Sequence, residues 1–110
     1  MIDWARVDDL RSEIGEDDFL EVVDMFLEEA DEVIGLLKGP ANLPQVESQL
    51  HFLKGSALNL GLSELAALCQ VGERSAATGN ADLVNLPEVV QVYQASRQVL
   101  TAGLGQPAAR

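Results

Sequence analysis

The chain is poor in several residue types, and each scarcity excludes something. Its 110 residues contain one cysteine, Cys69, so no disulfide can form within it, and a lone thiol suits a reducing compartment. Aromatic residues make up 5% of the chain although apolar residues make up 47%. Leu, Val and Ala supply most of that apolar content, which favours packed helices over a β-sandwich and is too high for a disordered chain. Lys and Arg number 7 against 18 Asp and Glu, for a net charge of −11. Nucleic acid and anionic membrane surfaces both require clustered positive charge, so neither is an expected partner. No apolar run approaches the roughly 20 residues that span a bilayer. The opening MIDWARVDDLRSE is acidic where a secretion signal is basic and then apolar. Glycine-rich phosphate loops, nucleotide-binding strand-turn-helix signatures and paired-cysteine metal spacings are also missing. The expectation is a cytoplasmic protein, taken to be a monomer, with no metal or cofactor of its own and no ATP-binding or kinase catalytic domain.

What the chain does have is helical periodicity, over a length that suits one domain around one core. A first segment, about 3–14, places Trp4, Val7, Leu10 and Ile14 on one side and stops at Gly15. A second, about 17–38, carries Phe19, Val22, Val23, Phe26, Ala30, Val33, Ile34 and Leu37 at three-and-four spacing. Glu21, Asp24, Glu28, Asp31 and Glu32 lie between them as a solvated acidic face, and Gly39-Pro40 stops the helix. A third begins at Asn42-Leu43-Pro44, where Asn can cap and Pro costs nothing, and ends at Gly61. A fourth runs from Ser63, whose hydroxyl can cap, to Gly79-Asn80. A second Asn-Leu-Pro, at 85–87, starts a fifth that runs to about residue 102. Four such helices on short loops predict an all-α fold, an antiparallel up-down-up-down four-helix bundle, with the short first helix capping one end. The bundle is expected to occupy residues 1–103 and a flexible tail residues 104–110.

The only histidine lies in HFLKGSALNLG, residues 51–61. At about 100° per residue, Val46, Leu50, Leu53, Ala57 and Leu60 form one core stripe, and His51 falls nearly opposite it. Gly55, one turn on, shares that outward face although glycine costs about 1 kcal/mol relative to Ala in a helix interior. Lys54 and Leu58 flank the face on one side, Ser48 and Asn59 on the other. A solitary histidine is most often an idle surface residue, but here the backbone beside it is bare and an ammonium three residues on can reach the space above the ring. An exposed neutral imidazole is a competent nucleophile near pH 7. A nearby lysine stabilises the charge that develops on a transferring phosphoryl group. With nothing to bind ATP, this is half an active site, and its partner must bring the rest, any metal included.

His51-Phe52-Leu53-Lys54-Gly55-Ser56-Ala57, followed by Asn59 and Gly61 and continued by Leu65, Cys69 and Glu73, closely resembles the signature of histidine-containing phosphotransfer (HPt) domains. The resemblance in helix pattern and length extends over nearly the whole chain. It implies that His51 is the phosphoacceptor, phosphorylated on Nε2 in exchange with the aspartate of a response-regulator receiver domain that itself carries Mg²⁺. The receiver can be free or part of a hybrid histidine kinase. By the same resemblance Lys54 assists electrostatically and Gly55 admits the receiver. Glu73 matches a position, commonly Gln or Glu, that hydrogen-bonds Nδ1 of the histidine and would fix its tautomer. Leu58 and Leu68 are candidates for the apolar docking surface, with Ser48 at its edge. Asn59 either lines that face or helps end the helix. Cys69 is read as core filler. Trp4 packs either at the bundle end or near the docking face.

Two rival functions stay open at this stage. A receiver-docking adaptor bundle would bind the same partner without accepting phosphate. A hydrolase using His51 and Glu73 would need a second nucleophile and a pocket, and neither is evident. A metal role for His51 is weakest, because one histidine and one distant cysteine do not make a coordination shell.

Overall fold

A computed structural model describes residues 2–40 and 42–104 of the chain, and within them every expected helix forms. Helix α1 spans Trp4–Ile14, α2 Glu16–Lys38, α3 Leu43–Leu60, α4 Ser63–Ala77 and α5 Leu86–Leu104, with one 3₁₀ turn at Ala81–Leu83. Helices α2 to α5 pack as an antiparallel bundle in which each touches the next and α5 closes back on α2. Helix α1 crosses one end against α2 and α3. The expected α3 stripe is the centre of the core: Val46, Leu50 and Leu53 are 0% exposed, and Ala57 and Leu60 are 1%. On α2 the buried set is Phe19, Val23, Leu27, Ala30, Ile34 and Leu37, so Leu27 joins the expected stripe while Val22, Phe26 and Val33 sit half-buried at its margin. No helix among the described residues is long and apolar enough to cross a membrane.

The helix ends show where capping chemistry holds and where packing overrides it. Asp3 accepts from the Arg6 N–H at 3.2 Å, and Asn85 accepts from the Glu88 N–H at 3.1 Å while donating to the Glu88 carboxylate at 3.3 Å. Both are reciprocal or single N-caps of the ordinary kind. Asn42, from the same Asn-Leu-Pro motif, makes no such side-chain bond. Ser63 is the first helical residue rather than the cap, a place taken by Leu62, which is buried at 1% exposure. Helix α4 stops at Ala77, short of the expected Gly79-Asn80. There the Thr78 hydroxyl donates to the Arg74 and Ser75 carbonyls, and Gly79, at φ +88°, turns the chain away. Helix α5 runs two residues past its expected end, so Leu104 is helical. The remainder of the expected tail, 105–110, lies outside the described residues.

Two contacts lock the frame. Gly61 ends α3 at φ +76°, and a Cβ there would meet the Asp3 carbonyl oxygen at 2.6 Å. This close approach lets the Asp3 N–H donate to the Gly61 carbonyl at 2.7 Å and fastens α1 to the α3–α4 turn. Trp4 lies across Gly103 of α5, where a Cβ would overlap the indole, which puts this residue at the bundle end. On the opposite flank, Asp31 does more than solvate an acidic face. It takes both Nε and Nη2 of Arg97 at 3.0 Å and the hydroxyl of buried Tyr93 at 2.5 Å, joining α2 to α5. Burial works to raise its carboxyl pKa, but the hydrogen bonds from Arg97 and Tyr93 and the charges of Arg97 and Lys38 win, so it is held below its usual value.

Gly61→Ala is expected to destabilise by about 2 kcal/mol, because it strains a left-handed φ and meets backbone. Thermal denaturation should show a Tm lower by on the order of 10 °C. Because the Asp31 carboxyl is depressed in the folded chain, its contribution is present above the ordinary carboxylate pKa near 3.9 and is lost as pH falls through the folded value. Asp31→Asn should therefore lower Tm at neutral pH by a few degrees, and the gap to the parent protein should narrow as both are titrated below the ordinary carboxylate range.

Candidate functional site

The site is built by the α3–α4 pair. Only Gly61 and Leu62 separate the two helices, so they lie antiparallel in a fixed register. The Leu62 N–H bonds the Ala57 carbonyl at 2.8 Å and the Ala66 N–H bonds the Leu62 carbonyl at 2.9 Å, which closes the turn. That register sets residue 73 opposite 51 and residue 70 opposite 54. Glu73 Oε1 lies 2.6 Å from His51 Nδ1, and Glu73 Oε2 lies 2.6 Å from Lys54 Nζ. One carboxylate thus serves both residues, one oxygen each.

Exposure divides the three. The His51 side chain is 69% exposed, while Glu73 is 18% and Lys54 20%. With Nδ1 engaged by a carboxylate, the neutral ring carries its proton on that nitrogen and keeps its lone pair on Nε2. Hydrogen bonds from Lys54 and then His51 hold the Glu73 carboxyl below the usual carboxylate range against a smaller burial effect. It is therefore ionised at neutral pH. Gly55 is as bare as the helical wheel implies: a Cβ there would meet nothing within 4 Å, and its backbone is ordinary helix. Neither internal packing nor backbone conformation requires glycine at that position.

The remaining candidates separate. Ser48 is exposed, donates to the Gln45 carbonyl at 3.0 Å, and shares a shallow depression with Pro44, Glu47, His51 and Glu73. Leu58, 58% exposed, lines a second, largely apolar depression on the Lys54 side with Ser63, Ala66, Ala67 and Gln70. Leu68, expected on the surface, is half-buried against the core, because its position on α4 turns it inward from Ala67. Asn59 folds its amide back to donate to the Gly55 carbonyl at 3.0 Å, and its own carbonyl accepts from Arg6 Nε at 3.3 Å. Its bonds belong to the last turn of α3 and to the α1 contact. Cys69 is 0% exposed, and burial, helped by the Glu73 charge, pushes its thiol up to about 12. It remains a protonated filler. No group of three or more His, Cys, Asp or Glu among the described residues is arranged to hold a metal ion.

Periodicity lets the Lys54 ammonium reach the space above the ring, and in the fold Nζ is drawn across to α4, held by Glu73 and by Gln70 Oε1 at 3.0 Å. Gln70 was not among the expected site residues. The signal for it was available only once 73 was paired with 51: in an antiparallel pair, the residue one turn before Glu73 must then face the residue one turn after His51.

The Hpt domain family model matches residues 21–106 of the chain. No curated protein and no solved structure matches it.

Because Gly55 has open space and helical dihedrals, Gly55→Ala should stabilise the fold by about 1 kcal/mol. Thermal denaturation should show a Tm higher by roughly 4–8 °C, and an unchanged or lower Tm would mean that the site imposes a constraint on that backbone.

Proposed function

Because the chain belongs to the Hpt domain family, whose members are histidine phosphotransfer modules of phosphorelays rather than kinase catalytic domains, we propose that His51 is its phosphoacceptor, exchanging a phosphoryl group with the aspartate of a response-regulator receiver domain. The observation that carries this is the pairing of a carboxylate on Nδ1, at 2.6 Å, with 69% exposure of the same side chain. It aims a nucleophilic Nε2 at solvent from a rigid helix.

The step needs little from this chain beyond position and charge. The Nε2 lone pair attacks the phosphorus of the aspartyl phosphate, the bond from phosphorus to the aspartate oxygen breaks, and the carboxylate leaves with that electron pair. The Nδ1 proton stays in place, donated to Glu73, which stabilises the positive charge the ring acquires. Lys54 sits on the same face to offset charge on the phosphoryl oxygens. The Mg²⁺ that the exchange requires is assigned to the receiver. Gly55 leaves the approach to Nε2 uncovered, and the depression containing Leu58 offers apolar area to a docking helix. Ser48 and Asn59 flank the other side of the His51 face, and the exposed part of Leu68 adds apolar surface on α4. A hybrid histidine kinase is one source of such a receiver.

Incubation with a receiver loaded from acetyl phosphate tests this. Acid-labile phosphate should appear on the parent protein and not on His51→Gln. Lys54→Ala should keep its helical circular dichroism and load roughly 10-fold or more slowly. Gly55→Gln should fold and yet transfer poorly, since its side chain would extend over the ring. If His51→Gln loaded as well as the parent, the assignment would fail; if no receiver loaded either, yet receivers bound, the protein would be a docking adaptor.

A further inference from the structure

Lysine carries three N–H donors on its ammonium and no acceptor. At Lys54 one is taken by Gln70 Oε1 at 3.0 Å, and the ammonium also forms an ion pair with Glu73 Oε2 at 2.6 Å. The two acceptors lie three residues apart on α4, one turn along the same face. They are chemically unlike. Glu73 is an anion already shared with His51, so by itself it would draw the ammonium fully toward itself and cancel much of its charge. Gln70 is neutral, so it restrains the ammonium without neutralising it. Held by Gln70, the ammonium can keep its place while its ion-pair contact turns from Glu73 to an incoming phosphoryl oxygen. Lys54 is only 20% exposed, and its long side chain gives up rotamer freedom before the phosphoryl arrives rather than in the transition state.

We propose that Gln70 is a positioning residue for phosphotransfer, holding the Lys54 ammonium charged and in register beside His51. The inference rests on His51 being the phosphoacceptor and adds a residue to its machinery. When the phosphoryl binds Nε2, Lys54 exchanges its contact with Glu73 for one with the phosphoryl, and Gln70 keeps it in reach during the exchange. Glu73 is then left with Nδ1 as its partner, at the moment the ring is most positive.

Gln70 also borders the apolar depression beside Leu58, so a slower reaction with a receiver could reflect weaker docking. A small donor removes that ambiguity. Phosphoramidate loads histidine directly: the Nε2 lone pair attacks phosphorus, the phosphorus–nitrogen bond breaks, and ammonia leaves carrying a proton from the donor. Loading is followed for the parent, Gln70→Met, Lys54→Ala and the double variant, with circular dichroism as the folding control. Gln70→Met, which keeps length and loses the acceptor, should load roughly 3- to 10-fold more slowly. Gln70→Glu should also load slowly, because a second carboxylate cancels the ammonium's charge. In the Lys54→Ala background Gln70→Met should change nothing further, since its effect passes through Lys54. Loading of Gln70→Met at the parent rate, or an equal loss with and without Lys54, would overturn the proposal. Failure of the phosphoacceptor assignment looks different: His51→Gln would then load from phosphoramidate as well as the parent does.

Discussion

The site depends on one tight turn. Gly61 and Leu62 are all that separates α3 from α4, and a link that short leaves the two helices no freedom to slide. Gly61 reaches a left-handed φ of +76° and lies so close to Asp3 that a side chain there would strike its carbonyl. The turn is therefore pinned from both sides, by its own closing hydrogen bonds and by α1. A slip of one residue would turn Glu73 away from His51, and Gln70 away from Lys54, by about 100° around the helix. The exposed imidazole is accurate in position because of a buried leucine and a glycine at the far end of its helix.

Charge in this protein is arranged as contrast. The chain as a whole is acidic, with a net charge of −11, and repels anions at long range where salt does not screen it. Beside His51 the Glu73 carboxylate is matched by the Lys54 ammonium. Glu73 is spent on two partners, which offsets its own charge beside the ring. The same economy appears at Asp31, a member of an apparently solvated acidic face that instead ties Arg97 and the buried Tyr93 hydroxyl together. Carboxylates do structural work here in proportion to the partners that tertiary packing brings to them.

Much of this was legible in residue spacing. The α3 stripe from Val46 to Leu60 predicted the deepest part of the core, and its antipode predicted an exposed His51; both follow from helical periodicity, which is a local property. Proline and glycine marked most helix ends. The failures came where a non-local contact overrode a local preference. Ser63 lost the cap position to Leu62, which is buried in the core. Gln70 carried no signal of its own.

The sequence by itself determined the helices, their buried stripes, the outward imidazole and the bare glycine beside it, because each depends on residues within a turn or two of one another. Only the tertiary structure decided which side chains on α4 meet those on α3. Partners 16 and 22 residues apart meet through the register of a helix pair, and that register is set by how the turn packs, which no local pattern records. Lys54 shows the difference: periodicity puts its side chain on the right face, and the fold decides whose oxygens hold it there.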